Sequence, residues 1–318
     1  MNHMRLRVSH VAVIGFTAAI LVQALQGQIA GPMTGFVFDR SARGLRPVLG
    51  IPGASVLGDP VNFGFAVASV FVAPRQDSAV VVAADGSVHL FSLKSGALAE
   101  QTPDGITMAL ERAVFSPSGT AAALDGSGAA QLITGLPDAP AIAGSVDLTQ
   151  AGRVASMAVS DDGAALLIAA GGFVSFAGNS GALHNLIAAG DGAQVAFAPG
   201  GYRAAVADPA SSTVEQFSDV TAASQPTPIA GPGANLAPAV GLAFSADSQR
   251  IFLANANGVT AFDLAAGSST TISCDCAPTG LHRMGSVFRL NEAGSKPLWL
   301  LDASEARTVF VPPAVAAQ

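Results

Sequence analysis

Val114-Phe115-Ser116-Pro117-Ser118-Gly119 is the stretch on which the fold turns. Two apolar residues lead into Ser-Pro-Ser-Gly. A β-strand enters a tight turn in this way, because Pro presets its backbone angle, Ser bonds to nearby main chain and Gly accepts positive φ. Working outward, the arrangement returns as Val70-Phe71-Val72-Ala73-Pro74, Ala158-Val159-Ser160-Asp161-Asp162-Gly163, Ala196-Phe197-Ala198-Pro199-Gly200-Gly201 and Ala243-Phe244-Ser245-Ala246-Asp247. A degenerate sixth copy is Val287-Phe288-Arg289-Leu290-Asn291. Measured between Phe71, Phe115, Val159, Phe197, Phe244 and Phe288, the copies lie 44, 44, 38, 47 and 44 residues apart. A repeat of roughly 40–50 residues is the length of a propeller blade.

After each anchor comes a second apolar strand (residues 79–83, 121–124, 164–168, 203–207, 251–254 and 297–301). A turn follows: Asp85-Gly86, Asp125-Gly126, Gly171-Gly172, Asp208-Pro209, Asn257-Gly258 or Asp302-Ala303. A third strand then alternates apolar and polar residues, as in Ser87-Val88-His89-Leu90-Phe91-Ser92. Alternation with period two buries one face. A small sheet cannot cover its own faces, but sheets stacked around an axis cover one another. The expected fold is therefore all-β: a single β-propeller of six four-stranded antiparallel blades, with seven as the alternative. Residues 35–39 and 45–49 read as a third and fourth strand, and the last repeat as a first, second and third strand ending at 308–311. The N- and C-terminal strands are then expected to pair and close the ring.

The Phe-Ser-Pro-Ser-Gly at Phe115 and the Gly-Val-Thr-Ala-Phe-Asp at Gly258 resemble the bacterial WD40-like and YVTN-type β-propeller repeat proteins, over roughly residues 35–312. The resemblance implies a fold and almost nothing about activity. The Gly-His…Trp-Asp pair of the eukaryotic pattern is missing, and Trp299 is the one tryptophan, so scaffold roles of those proteins do not transfer.

Half the residues are hydrophobic and 12% are charged. One long apolar run stands near the N-terminus, and Gly, Pro, Asp or Ser breaks up the others. Residues 1–10 carry Arg5 and Arg7 and no acid, residues 11–25 are nearly all apolar, and Gln26-Gly27-Gln28-Ile29-Ala30-Gly31 follows. This is the order of a secretory signal. Residues 1–28 are expected to be a signal helix, cleaved or retained as an anchor, and residues 31–318 the propeller. Either outcome exports the domain, to the periplasm or the medium, or leaves it membrane-anchored on the extracytoplasmic side. Loss of Arg5 and Arg7 would change the net charge from −7 to −9. With Lys94 and Lys296 the sole lysines and no basic run, nucleic acid is excluded as a partner.

The two cysteines fall in Ser273-Cys274-Asp275-Cys276-Ala277-Pro278-Thr279-Gly280-Leu281-His282-Arg283-Met284. In an exported chain an even cysteine count reads as a disulfide, Cys274 to Cys276. The alternatives are two free thiols, or a soft-metal site in which His282 or Met284 joins the thiolates, since sulfur and imidazole ligands suit copper or zinc. His89 reads as a partly buried strand residue and His184 as a surface one. There is no nucleophile elbow, zinc-protease helix motif or phosphate loop. The carboxylates Asp85, Asp125, Asp162, Asp208 and Asp302 read as ordinary turn residues, with a cation-binding ring as the sharper alternative.

The leading functional expectation is a non-catalytic binding scaffold, monomeric and without cofactor, for an exported protein, peptide or glycan. The longer connections 135–152 and 221–238 would rim one face. The alternatives are a hydrolase-like propeller enzyme using the central funnel, and a thiol-redox or copper role for Cys274 and Cys276.

Overall fold

The Ser-x-x-Gly turn closes its hairpin with the same bonds wherever it recurs. Ser116 N–H donates to Ala121 O, Gly119 N–H donates to Ser116 O, and Ala121 N–H donates to the buried Ser116 hydroxyl. Ser160 repeats the set with Ala165 and Gly163, and Ser245 with Arg250 and Ser248. The fourth turn residue lies at positive φ each time: Gly119 at 73°, Gly163 at 69° and Ser248 at 58°. A small hydroxyl at the first position thus satisfies a buried N–H, and a residue tolerant of the left-handed region reverses the chain.

The computed structural model describes residues 31–314 apart from 95–97, 179, 223, 232–235 and 237. The expected signal helix at 1–28 lies outside them. Among the described residues there is no α-helix, and none long and apolar enough to cross a membrane.

Seven antiparallel sheets follow one another along the chain. Sheet 1 holds β1 (Met33–Asp39), β2 (Gly44–Ile51) and β3 (Ala54–Leu57). Sheet 2 holds β4 (Val67–Val72), β5 (Ser78–Ala83), β6 (Val88–Ser92) and β7 (Ala99–Glu100); sheet 3 holds β8 (Arg112–Phe115), β9 (Ala121–Gly126), β10 (Ala129–Thr134) and β11 (Ala141–Asp147). Sheet 4 holds β12 (Val154–Val159), β13 (Leu166–Ala170), β14 (Phe173–Ala177) and β15 (Leu183–Ala188); sheet 5 holds β16 (Gln194–Phe197), β17 (Ala204–Asp208), β18 (Thr213–Phe217) and β19 (Thr227–Ala230). Sheet 6 holds β20 (Ala239–Phe244), β21 (Arg250–Asn255), β22 (Gly258–Asp263) and β23 (Ser268–Ser273); sheet 7 holds β24 (His282–Met284), β25 (Val287–Arg289), β26 (Leu298–Asp302) and β27 (Arg307–Val311).

One buried apolar cluster fills each gap between successive sheets, and the seventh joins Val37 and Val48 of sheet 1 to Met284, Val287 and Leu298 of sheet 7. The second strands are buried on both faces. Val80 packs toward sheet 3 and Val81 toward sheet 1, both at 0% exposure. This explains why such strands read as unbroken apolar runs. Each valine so buried stabilises the ring by about 1.5–3 kcal/mol.

Four expectations are corrected. The blades number seven rather than six. The sixth anchor, Val287-Phe288-Arg289, is a second strand, because the three-residue β24 precedes it. The ring is closed by packing, not by N- and C-terminal strands paired in one sheet; at the seam only an isolated bridge, Asp39 with Ala293, joins sheets 1 and 7 among the described residues. Phe36 N–H, near the start of β1, meets Gln76 just beyond the end of β4, while Asp39, at its finish, meets Ala293 beside the origin of β24. β1 therefore runs against the innermost strands of the other six sheets. Sheet 1 corresponds to second, third and fourth strands without a first, one step from the expected third and fourth. The connections 135–152 and 221–238 are not free rims, since they contain the outer strands β11 and β19.

Candidate functional site

The innermost strands surround a central channel of about 770 Å³. Small residues on these strands, such as Ala113, Ala158, Ala196 and Gly241, let the sheets approach the axis. At Gly241 the approach is tight, because a Cβ there would lie 2.6 Å from Leu281 Cβ.

One mouth of the channel, where the innermost strands of sheets 2–7 begin, is charged. The β1–β2 turn brings Arg40 and Arg43 to it. Asp39 shapes that turn: its Oδ1 accepts from the N–H groups of Ser41 (2.9 Å) and Ala42 (3.2 Å), and its Oδ2 pairs with Arg46 at 3.2 Å. Arg40 N–H is tied to Ala293 O at 3.2 Å. Glu111 and Arg112 stand at the start of β8, Gln194 at the start of β16 and His282 at the start of β24. Register pairs His282 with Arg289, which holds Glu292 at 2.6 Å. Arg112 contacts Asp125 at 3.2 Å and donates to Val154 O at 3.1 Å. Burial pushes the Asp125 carboxyl up, against the pull of Arg112.

Deeper in the channel wall, Arg283 donates to Phe244 O at 2.7 Å and lies 5.0 Å over the Phe288 ring. Five arginines and two glutamates line the channel: Arg40, Arg43, Arg112, Arg283 and Arg289 against Glu111 and Glu292, a balance of 5 − 2 = +3 in a chain of net charge −7. His282 is pushed down to about 4, first by burial and then by Arg289, with Glu292 opposing. Its ring is open to the channel although the walls enclose it. The neutral imidazole is therefore the form present near neutral pH.

The cysteines lie elsewhere. Cys274 and Cys276 form a disulfide, Cα to Cα 5.0 Å, between β23 and β24, at the border of the cluster shared by sheets 6 and 7. Both sulfurs are consumed by this bond. Met284 is buried in the cluster facing sheet 1, and His282 faces the channel, so the four residues considered together from sequence are not gathered around one point. The turn carboxylates form no ring either. Asp85, Asp125 and Asp208 lie at turns after second strands, whereas Asp162 follows a first strand and Asp302 a third, which places them at opposite ends of the channel. Asp85 accepts from Ser87 N–H and hydroxyl, Asp208 from Ala210 N–H and Ser211 hydroxyl, and Asp302 from Ser304 N–H and hydroxyl.

His89, a strand residue as expected, has a hydroxyl and a carboxylate beside it. Its Nε2 lies 2.9 Å from Ser87 Oγ and its Nδ1 2.7 Å from Glu100 Oε1, and Phe65 stacks on the ring at 4.7 Å. The i, i+2 spacing on a strand puts Ser87 and His89 on one face, a signal available from sequence. This set lies on the outer strands of sheet 2, away from the channel. The Ser87 hydroxyl is also 2.7 Å from Asp85 Oδ1, which competes for its proton.

Seven radial sheets around a channel with a charged mouth define a β-propeller. Two solved structures share the architecture. A functionally unknown protein from Desulfotomaculum acetoxidans matches with a TM-score of 0.58 at 13% identity, covering 88% of this chain and 100% of its own. A chain of the nidogen/laminin complex matches with a TM-score of 0.52 at 12% identity, covering 72% of this chain and 90% of that one. At such identities the likeness concerns the fold alone. No family model and no curated protein sequence matches this chain.

Proposed function

We propose that this β-propeller is an exported binding module of the WD40-like or YVTN-type kind, and that the charged mouth of its channel is where it engages a protein, peptide or glycan. The single observation that carries the reading is the gathering of Arg40, Arg43, Arg112, Arg289 and His282 at one opening of a rigid ring, in a chain of which only 12% is charged. A rigid frame that presents polar side chains around a concave opening suits recognition. Export is supported by the order of residues 1–31, a basic end, an apolar run and a polar exit. Photo-crosslinker placed at Glu111, on the mouth, and at Asn185, on an outer strand, tests the site in the native envelope. A discrete adduct is expected from Glu111 only; adducts from Asn185 alone would overturn it.

A second reading has one observation behind it: the Ser87–His89–Glu100 contacts are those of a hydroxyl activated by imidazole and carboxylate. It predicts Ser87-dependent labelling by a fluorophosphonate. Absence of labelling at Ser87 dismisses it.

A further inference from the structure

We propose that the charged mouth binds a small oxyanion carrying at least two negative charges, a polycarboxylate or a phosphate ester. The inference rests on the channel-mouth reading above and gives that site its ligand chemistry.

Three observations carry it. First, other arginines of this protein are engaged by the fold, Arg46 on Asp39 at 3.2 Å, Arg75 on Asp77 at 2.7 Å and Arg283 on Phe244 O at 2.7 Å. Arg40 and Arg43 lie in the turn that leads into the strand of Arg46 and line the channel, yet neither side chain has a hydrogen bond or ion pair among the described residues. Guanidinium forks without a carboxylate are matched by carboxylate or phosphate oxygens.

Second, the positive balance is local. The chain as a whole is acidic, and the five channel arginines outnumber the two channel glutamates. Several of the other carboxylates are committed to their own turns, as Asp85, Asp147, Asp219 and Asp247 are to the residue two positions on. A concave site with an excess of one sign of charge concentrates the opposite ion.

Third, the space fits. About 770 Å³ lies within the size of small-molecule sites, and the walls below the mouth are Ala, Val and Phe with few polar groups. The charge count requires a ligand with more than one negative group, because Glu292 already holds Arg289 at 2.6 Å and a singly charged ion would gain little by displacing it.

The test is titration calorimetry of the full chain with pyrophosphate and, separately, citrate at low ionic strength. Binding of either supports the proposal, and the one that binds more tightly assigns the charge carrier. The double variant Arg40→Ala/Arg43→Asn should weaken binding at least about tenfold, the loss of a charge-assisted hydrogen bond. Asn is chosen because position 43 lies at φ 48°, which Asn tolerates. Glu292→Gln should tighten binding by releasing Arg289, an outcome that general loss of structure cannot imitate. Arg75→Ala, outside the channel, should leave it unchanged. Failure of both anions to bind, or binding insensitive to the double variant, overturns the proposal. A mouth-specific crosslinked adduct obtained alongside silent calorimetry would overturn the oxyanion and leave the binding module standing.

Discussion

Gln76 Oε1 accepts the main-chain N–H of Phe36 at 2.6 Å, while its own amide donates to Ala73 O at 2.9 Å. Phe36 lies on β1, the innermost strand of the three-stranded sheet, and the amide of Gln76 does for that N–H what a neighbouring strand would otherwise do. Replacing Gln76 by Leu keeps the volume and removes the acceptor. The cost is expected to be about 1–3 kcal/mol in urea unfolding, the penalty for an unmade hydrogen bond on a partly buried donor. Gln76→Glu, which keeps an acceptor oxygen, should lose less.

Gly241 and Gly144 separate close approach from mere flexibility. A Cβ at 241 would meet Leu281 Cβ at 2.6 Å and Leu281 N at 2.7 Å, whereas one at 144 would meet nothing within 4 Å. Gly241→Ala must push β20 from β24 and is expected to cost about 1–3 kcal/mol or more. Gly144→Ala on β11 should be neutral or stabilising by up to about 1 kcal/mol. Equal unfolding midpoints for the two variants would contradict the close approach at the axis.

Asp161 links three successive blades. Its Oδ1 accepts from Ser118 N–H of sheet 3 at 2.7 Å, its Oδ2 from Gly200 N–H of sheet 5 at 2.8 Å, and its carbonyl from the Thr120 hydroxyl at 2.6 Å. Asp161→Ala is expected to lower stability by about 1.5–3 kcal/mol. Asp161→Asn keeps one acceptor and should lose about half as much. Thermal unfolding of the three proteins gives the order.

The Cys274–Cys276 bond closes a very short loop. Chain-entropy reasoning gives it about 1–2 kcal/mol, well under what a long loop would give. Thiol titration of the unreduced, denatured chain should find none and of the reduced chain two. Changing both residues to Ser should destabilise by that small amount and leave anion titration unchanged, because the bridge borders sheets 6 and 7 rather than the channel.

The pH dependence follows from His282. Its folded value is pushed below the ordinary 6.5, first by burial and then by Arg289, so the unfolded chain binds the proton more readily. Stability from this source is complete above 6.5 and is lost as pH falls below it. The turn carboxylates Asp85, Asp147, Asp219 and Asp247, held down chiefly by hydrogen bonds from Ser87, Thr149, Thr221 and Ser245, begin to lose their contribution only near and below their ordinary 3.8. Urea midpoints between pH 7 and 4.5 should therefore fall in the wild type and fall less in His282→Gln. Identical slopes would remove His282 as the cause.

How much of this was legible depended on whether local chemistry carried the signal. The Ser116, Ser160 and Ser245 turns need a hydroxyl and a left-handed residue at fixed spacing, and such needs are written in the chain. Sheet 7 escaped because β24 is only His282-Arg283-Met284, reversed by a short turn at Gly285 (φ 61°), so the apolar pair Val287-Phe288 posed as the first strand. The direction of β1 was hidden because its inner-edge partner is the amide of Gln76, forty positions away. The channel mouth was invisible for the same reason. Arg40, Arg43, Arg112 and Arg289 are scattered along the chain and meet only when the circle closes. The disulfide, set by two adjacent sulfurs, needed no such long-range information.

The seam between the first and last sheets has a consequence for biosynthesis. Val37 and Val48 are covered by Leu298, Leu300 and Val311, and Val311 is made 311 − 37 = 274 residues after Val37. At ordinary translation speeds that interval is on the order of 15–55 seconds. Throughout it, one flank of the oldest sheet is bare hydrocarbon, and whatever protects the nascent polypeptide must shield that flank until its youngest strand arrives.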